Sequence, residues 1–157
     1  KNDKSGDVLM QRVKKSGHKI LSRKIVRDDF DEISKLFKNL IKDKNIDVII
    51  STGGTGLTGR DITPEVMETL FEKSIDGFGE MFRWLSFSKI GTSALQSRAL
   101  AGVTKGTYIF CLPGSPSACK DGWDNILLHQ LDIRHKPCNF VEIMPRLQEH
   151  EIYRTKS

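Results

Sequence analysis

The run Ile46-Asp47-Val48-Ile49-Ile50-Ser51 leads directly into Thr52-Gly53-Gly54-Thr55-Gly56, and this junction constrains the fold more than any other feature of the chain. A short, nearly continuous apolar run rich in β-branched residues is what a strand buried on both faces requires. A Gly-rich turn at its carboxyl end lets backbone N–H groups come close to a ligand, which suits phosphate or a polar heterocycle. The turn is not a P-loop, because the GxxxxGK[ST] pattern is absent. Taken by itself, a purely structural tight turn explains it better.

The flanking pattern supplies the rest of an α/β fold. Val8, Leu9 and Val13 predict a helix over residues 6–15, stopped at Gly17. Residues 18–26, with Ile20, Ile25 and Val26 among Lys and Arg, fit a strand better than a helix. Residues 31–42 carry Ile33, Leu36, Phe37, Leu40 and Ile41 at helical spacing, with Asp31 and Glu32 at the end that favours negative charge. Thr63 as cap and Pro64 in the first turn open another helix, bearing Val66, Met67, Leu70 and Phe71. A mixed stretch over 78–85 and a helix over 93–100 follow. Residues 107–112 predict a second buried strand, and 115–130 a long helix after a Pro113-Gly114 turn. Strands alternating with helices imply a mostly parallel sheet with helices on both faces. A chain of 157 residues suits one domain, placed at 1–144, with a tail at 145–157 that loses apolar periodicity.

Composition narrows the function classes. The apolar runs are far shorter than the roughly 20 residues that span a bilayer, so no membrane partner is expected. A net charge of +5 can attract nucleic acid, yet the basic residues are dispersed among acids without a Lys/Arg block or stacking aromatics. No nucleic-acid partner is expected; a phosphorylated small molecule accounts for the charge equally well, and so does solubility alone. Cys111, Cys119 and Cys138 show no CxxC spacing and cannot all pair, which points to a reducing cytoplasm. His18, His129, His135 and His150 have no ligand spacing and receive no role.

Ligands of parallel sheets bind beyond the carboxyl ends of the strands, so the loops leaving Ile50 and Leu112 are expected to face each other across the site. The first holds Thr52, Gly53, Gly54, Thr55 and Gly56 and continues to Gly59-Arg60-Asp61-Ile62-Thr63-Pro64-Glu65. Asp61 is placed to hold a metal ion or orient a polar group; the plainer alternative is a cap for the next helix. The second loop, Pro113-Gly114-Ser115-Pro116-Ser117, opens a helix whose N–H groups can receive an anion, or forms a simple turn and cap. Gly77-Phe78-Gly79-Glu80 is a nonspecific turn signal, and Ser97-Arg98 within a helix is by default a solvated face or an interface contact. The aromatic-rich stretch 78–87 offers more apolar surface than one small helix usually hides and predicts self-association.

Taken in order, Thr52-Gly53-Gly54-Thr55-Gly56, Asp61-Ile62-Thr63-Pro64-Glu65, Gly77-Phe78-Gly79-Glu80, Ser97-Arg98 and Pro113-Gly114-Ser115 resemble the MoaB/MogA family of molybdenum cofactor biosynthesis proteins over residues 3–144. Lys136-Pro137-Cys138-Asn139-Phe140 and the stretch 91–99 resemble the protein B branch rather than the dedicated adenylyltransferase. The resemblance implies a three-layer α/β/α domain that binds molybdopterin and forms trimers or hexamers. In active members it implies Mg²⁺-assisted transfer of AMP from ATP, with no permanently bound cofactor. It maps two functional carboxylates to Asp61, which would act through Mg²⁺, and to Asp28, whose register against Asp29 is open. It assigns Ser97 to the pterin phosphate, and the 53–56 and 113–115 loops to the nucleotide and pterin pockets. A noncatalytic molybdopterin- or nucleotide-binding assembly protein is the alternative. The family opens with a strand and a Ser-Asp-Arg-like turn, whereas this chain starts at Lys1 with what resembles the segment after that turn. A buried central strand is therefore expected ahead of Lys1, and its absence would leave a gap in core packing.

Overall fold

In a computed structural model, which describes residues 2–154, the central strand is the second apolar run rather than the first. β1 (Val48–Thr52) lies parallel to β4 (Thr107–Leu112), with Ile50 opposite Phe110. β4 is buried along its whole length and also pairs, antiparallel, with β3 (Leu100–Thr104). β2 (Lys73–Ser74) closes the order β1-β4-β3-β2.

The period-2 alternation of β4 generates the three layers. Tyr108, Phe110 and Leu112 point to one face, where Leu9 of α1 (Lys4–Lys15) and Phe78 and Phe82 of the long helix α4 (Asp76–Ile90) pack. Trp123, Ile126 and Leu127 join them from the helix that starts as α5 (Pro116–Gly122), continues as a π-turn Trp123–Leu127 and ends as α6 (Leu128–Gln130). Ile109 and Cys111 point to the other face, against Ile33, Phe37 and Ile41 of α2 (Phe30–Lys42) and Val66 and Met67 of α3 (Thr63–Leu70). Short helices α7 (Phe140–Ile143) and α8 (Glu149–Arg154) complete the described chain, and the Tyr108 hydroxyl donates to the Phe140 carbonyl at 2.8 Å. The α/β/α class is the expected one. The expected tail is helical where it is described; Lys1 and residues 155–157 lie outside the described residues.

Parallel pairing holds at β1–β4, the pair that carries the two loops of interest. The other two pairs are antiparallel because of a two-residue hairpin. Lys105 (φ 49°) and Gly106 (φ 82°) both take positive φ, the backbone of a tight turn whose twist matches the strands it joins. The strand entering that hairpin, β3, replaces the end of the helix expected over 93–100. Gly91 ends α4 with a positive φ, a single 3₁₀ segment Gly91–Gln96 follows, and the chain is extended from Ser97. The small residues Ala99, Ala101 and Gly102 give no strand signal, but they let α4 and Phe71 approach the sheet closely. The expected mixed stretch 78–85 lies wholly inside α4.

Residues 18–26 form no strand. They are held to the start of α1, with the Arg23 guanidinium 2.7 Å from both Asp3 Oδ2 and Asp7 Oδ1. They line a groove of about 1650 Å³ together with β1, whose second edge has no partner strand among the described residues. Apolar Leu9, Ile33, Phe37, Val48, Ile50 and Trp123 also line it.

The cysteines are free, and they differ in environment: Cys111 and Cys119 are buried and Cys138 is exposed. Burial pushes the Cys111 thiol up to about 12 and raises that of Cys119. Thiolate, not thiol, reacts with a disulfide reagent. Titration of the native protein near neutral pH is expected to give one fast equivalent, from Cys138, with the other two appearing only on unfolding. Three fast equivalents would contradict the burial of β4 and α5.

Candidate functional site

The two loops that leave the parallel strand pair are joined to each other. The Gly53 N–H donates to the Leu112 carbonyl at 2.9 Å, and the Thr52 hydroxyl donates to the Pro113 carbonyl at 2.9 Å. A Cβ on Gly114 would lie 3.2 Å from Gly53 Cα, so a side chain there would push the loops apart. Gly53 and Gly54 take φ of 103° and 69°, which places the chain in a region that favours glycine. Thr63 does not cap α3. Its hydroxyl donates to the Gly53 carbonyl at 3.1 Å, and the cap position falls to Ile62 without a side-chain bond.

A cleft of about 530 Å³ opens beyond these strand ends. Gly53, Gly54, Thr55 and Gly56 line one side, and Pro113, Gly114, Ser115 and Ser117 line another. Asp61, Ser97 and the end of α4 complete the wall. Of the residues singled out from sequence, Thr52 stands behind the cleft as a brace: besides bonding Pro113 it accepts from the Cys119 thiol at 3.1 Å. Ser115 Oγ caps α5 by accepting the Ala118 N–H at 3.1 Å, and Ser97 Oγ accepts the Ala99 N–H at 3.3 Å.

Asp61 is not a helix cap. Its Oδ2 accepts the Thr58 hydroxyl at 2.7 Å and the Thr58 N–H at 2.9 Å. These bonds, then the Gly56 backbone and the nearby Arg98 charge, hold its carboxyl below the usual carboxylate range, so it is an anion at neutral pH. Arg98 fastens the whole loop. Its Nε donates to the Gly56 carbonyl at 2.7 Å, its Nη2 to the Asp61 carbonyl at 2.8 Å, and its Nη1 pairs with Glu65. Only a planar guanidinium reaches three such acceptors from one side chain. The sequence places Arg98 in a helix, where its default is a solvated face; in the segment just before β3 it points across to the Gly-rich loop instead.

The structure separates Asp28 from Asp29. Asp29 caps α2 by accepting the Glu32 N–H at 2.9 Å. Asp28 Oδ1 lies 3.6 Å from where a Cβ on Gly54 would be, on the groove side of the Gly-rich loop rather than in the cleft. Asp28 and Asp61 therefore approach the same loop from two sides. Lys89 and Asp121, which sequence did not single out, also line the cleft, from α4 and α5.

The fold and cleft define the class: an α/β/α domain with a cleft over the carboxyl ends of two parallel strands, of the sort that takes a small-molecule ligand. Comparison with known proteins makes the family specific. Residues 1–133 match the family model described as a probable molybdopterin binding domain. The chain belongs to that family, within the MoaB/MogA group of molybdenum cofactor biosynthesis proteins. It is 45% identical over 139 residues to molybdenum cofactor biosynthesis protein B of Escherichia coli (strain K12), covering 88% of this chain and 82% of that protein. It is 39% identical over 119 residues to the probable molybdopterin adenylyltransferase of Methanocaldococcus jannaschii, covering 76% and 70%. A crystal structure of a molybdenum cofactor biosynthesis protein B superposes with a TM-score of 0.83 at 36% identity, covering 94% of this chain and 86% of that one. The tungsten cofactor synthesizing protein MoaB from Pyrococcus furiosus gives 0.74 at 38% identity, covering 81% and 80%.

Proposed function

We propose that the protein binds molybdopterin in the cleft between the 53–56 and 113–115 loops and transfers AMP to it from ATP. The observation that carries this reading is the joining of the two loops around a cleft that also presents an ionised, loop-anchored carboxylate, Asp61. In the reaction an oxygen of the molybdopterin phosphate attacks the α-phosphorus of ATP. A new P–O bond forms there, the bond to the bridging oxygen of the β-phosphate breaks, and pyrophosphate leaves with that electron pair.

Backbone N–H groups of the Gly-rich loop and the Ser97 hydroxyl are the donors for phosphate oxygens. Arg98 keeps that loop in register through Gly56 and Asp61. Asp28, the second carboxylate of the same reading, approaches Gly54 from the groove side. The donor set fits Mg²⁺: a hard cation that keeps several waters needs only one or two carboxylates plus substrate phosphates, and Asp61 supplies one. Bound there, Mg²⁺ would neutralise phosphate charge that Asp61 alone repels. The same reading places the protein in the cytoplasm, where three unpaired cysteines, Cys111, Cys119 and Cys138, would stay reduced.

Incubation with Mg·ATP and molybdopterin, followed for pyrophosphate and adenylated pterin, tests the reading. Release of both supports it. Ligand binding without either product moves the protein to a noncatalytic assembly role.

The same reading includes a homo-oligomer, trimer or hexamer. Phe78 and Phe82 of α4 are buried, but Met81, Trp84, Phe87 and Ile90 track a stripe along its exposed side. Trp84 is 73% exposed and Leu95, just beyond the helix, 80%. A contiguous apolar patch on a lone domain favours association. Sedimentation at micromolar concentration is expected to show oligomers, and Trp84→Glu to shift them toward monomer with the fold intact. A wild-type protein that sediments only as monomer would remove the patch as an interface.

A further inference from the structure

We propose that Lys89 is the anion-binding side chain of the cleft and that Asp121 is its resting counter-ion, displaced when the phosphate of a ligand arrives. The proposal rests on the reading above that the cleft takes a phosphate-bearing ligand.

Two cationic side chains near the site, Arg98 and Arg83, are committed to the chain's own oxygens. Arg98 holds Gly56, Asp61 and Glu65, and Arg83 donates to the Ala99 carbonyl at 2.9 Å and the Ser97 carbonyl at 3.4 Å. Neither lines the cleft; Lys89 does. Its Nζ lies 2.5 Å from Asp121 Oδ1, which also lines the cleft. The Lys89 side chain is 57% exposed and that of Asp121 14%, so the ammonium can turn on its flexible stem while the carboxylate is held in the wall.

The charge balance makes this exchange useful. The ionisable groups that line the cleft are Asp61, Asp121 and Lys89, which leaves it net anionic. Phosphate is repelled by such a wall unless a cation is released toward it. The ammonium is more than half exposed, so water can follow it as it turns, and the cost of parting the pair falls on the less exposed Asp121. A phosphate offers more charge and more acceptor oxygens than the single carboxylate it replaces. Asp121 then lowers affinity for anions and prevents Lys89 from holding stray ones.

The shared ligand chemistry is a phosphate carried on a heterocycle, from either the nucleotide or the pterin. Titration of the intact protein with Mg·ATP, adenosine, molybdopterin and an unphosphorylated pterin separates these sources. Lys89→Gln is expected to weaken a phosphate-bearing ligand by about tenfold or more, the scale of one charged hydrogen bond, and to leave its phosphate-free counterpart unchanged. Lys89→Arg should retain most of the affinity. Asp121→Asn should tighten the same ligand a few-fold. Loss confined to Mg·ATP assigns Lys89 to the nucleotide, and loss confined to molybdopterin assigns it to the pterin phosphate; either supports the proposal.

Wild-type binding that Lys89→Gln leaves intact for both ligands overturns it, as does Asp121→Asn weakening binding in parallel with Lys89→Gln. If wild type binds neither ligand, the proposed function itself fails and the inference falls with it. Because Lys89 is exposed, the Lys89→Gln variant is expected to melt close to wild type, which keeps the binding result interpretable.

Discussion

Asp61→Asn is expected to melt within a few degrees of the wild type and to lose adenylyl transfer by at least about a hundredfold, because the charge that would hold magnesium is worth several kcal/mol in a transition state rich in phosphate charge. The fold should survive because the geometry does. An amide oxygen still accepts the Thr58 N–H and hydroxyl, and the Arg98 bond runs to the Asp61 backbone carbonyl, which the substitution leaves in place. Acid adds a second signature. A carboxyl held below its ordinary 3.8 contributes stability that is present above that value and lost as pH falls through the lower, folded value. Any gap in Tm between wild type and variant should therefore close on acidification below 3.8. Activity, pterin binding and Tm on one preparation decide the matter. Unchanged turnover would reduce Asp61 to an anchor for Thr58, and loss of pterin binding together with a large fall in Tm would make it structural.

Phe110→Ala is expected to have the largest effect on stability, about 3–5 kcal/mol. Phe110 is fully buried at the middle of β4, between β1 and β3. Its ring sits 5.3 Å from Phe78 and 5.7 Å from Phe140, measured between centroids, and stacks at 6.0 Å on Tyr108. Removing it strips contacts from α4 and α7, both distant in sequence, and rigid neighbours on two strands cannot collapse into the void. For a chain of this length the loss corresponds to a fall in Tm on the order of 10 °C. Thermal denaturation measures it directly. A fall of less than about 1 kcal/mol would mean that the aromatic cluster is loosely packed and that β4 is not the centre of the core.

The α/β class, the helices at 4–15 and 30–42 and both strands of the parallel pair were legible because each depends on local periodicity that burial then rewards. The Gly-rich loop and Pro113-Gly114 were legible as a facing pair because parallel strands place their carboxyl ends together. Residues 18–26 were read as a strand and form none, while Leu100–Thr104, given no strand, form one, for the same reason: strand formation is decided by a partner. The first segment has β-branched residues but no ladder, and Arg23 ties it to α1 instead. The second is small and Gly-containing, yet the Lys105-Gly106 hairpin delivers it to β4.

Side-chain direction divides in the same way. From its spacing alone Thr63 is a cap, Asp61 a cap or metal ligand and Arg98 a surface residue, while Lys89 is not singled out at all. Tertiary structure turns Thr63 onto Gly53, Asp61 onto Thr58, Arg98 onto Gly56 and Glu65, and Lys89 onto Asp121. Sequence by itself determined the layers, the parallel pair and the two loops at its end, since apolar period and glycine chemistry act over a few residues. Only the tertiary structure decided which polar groups meet, because a hydrogen bond or ion pair forms within about 3 Å between residues such as Arg98 and Gly56 that lie far apart along the chain.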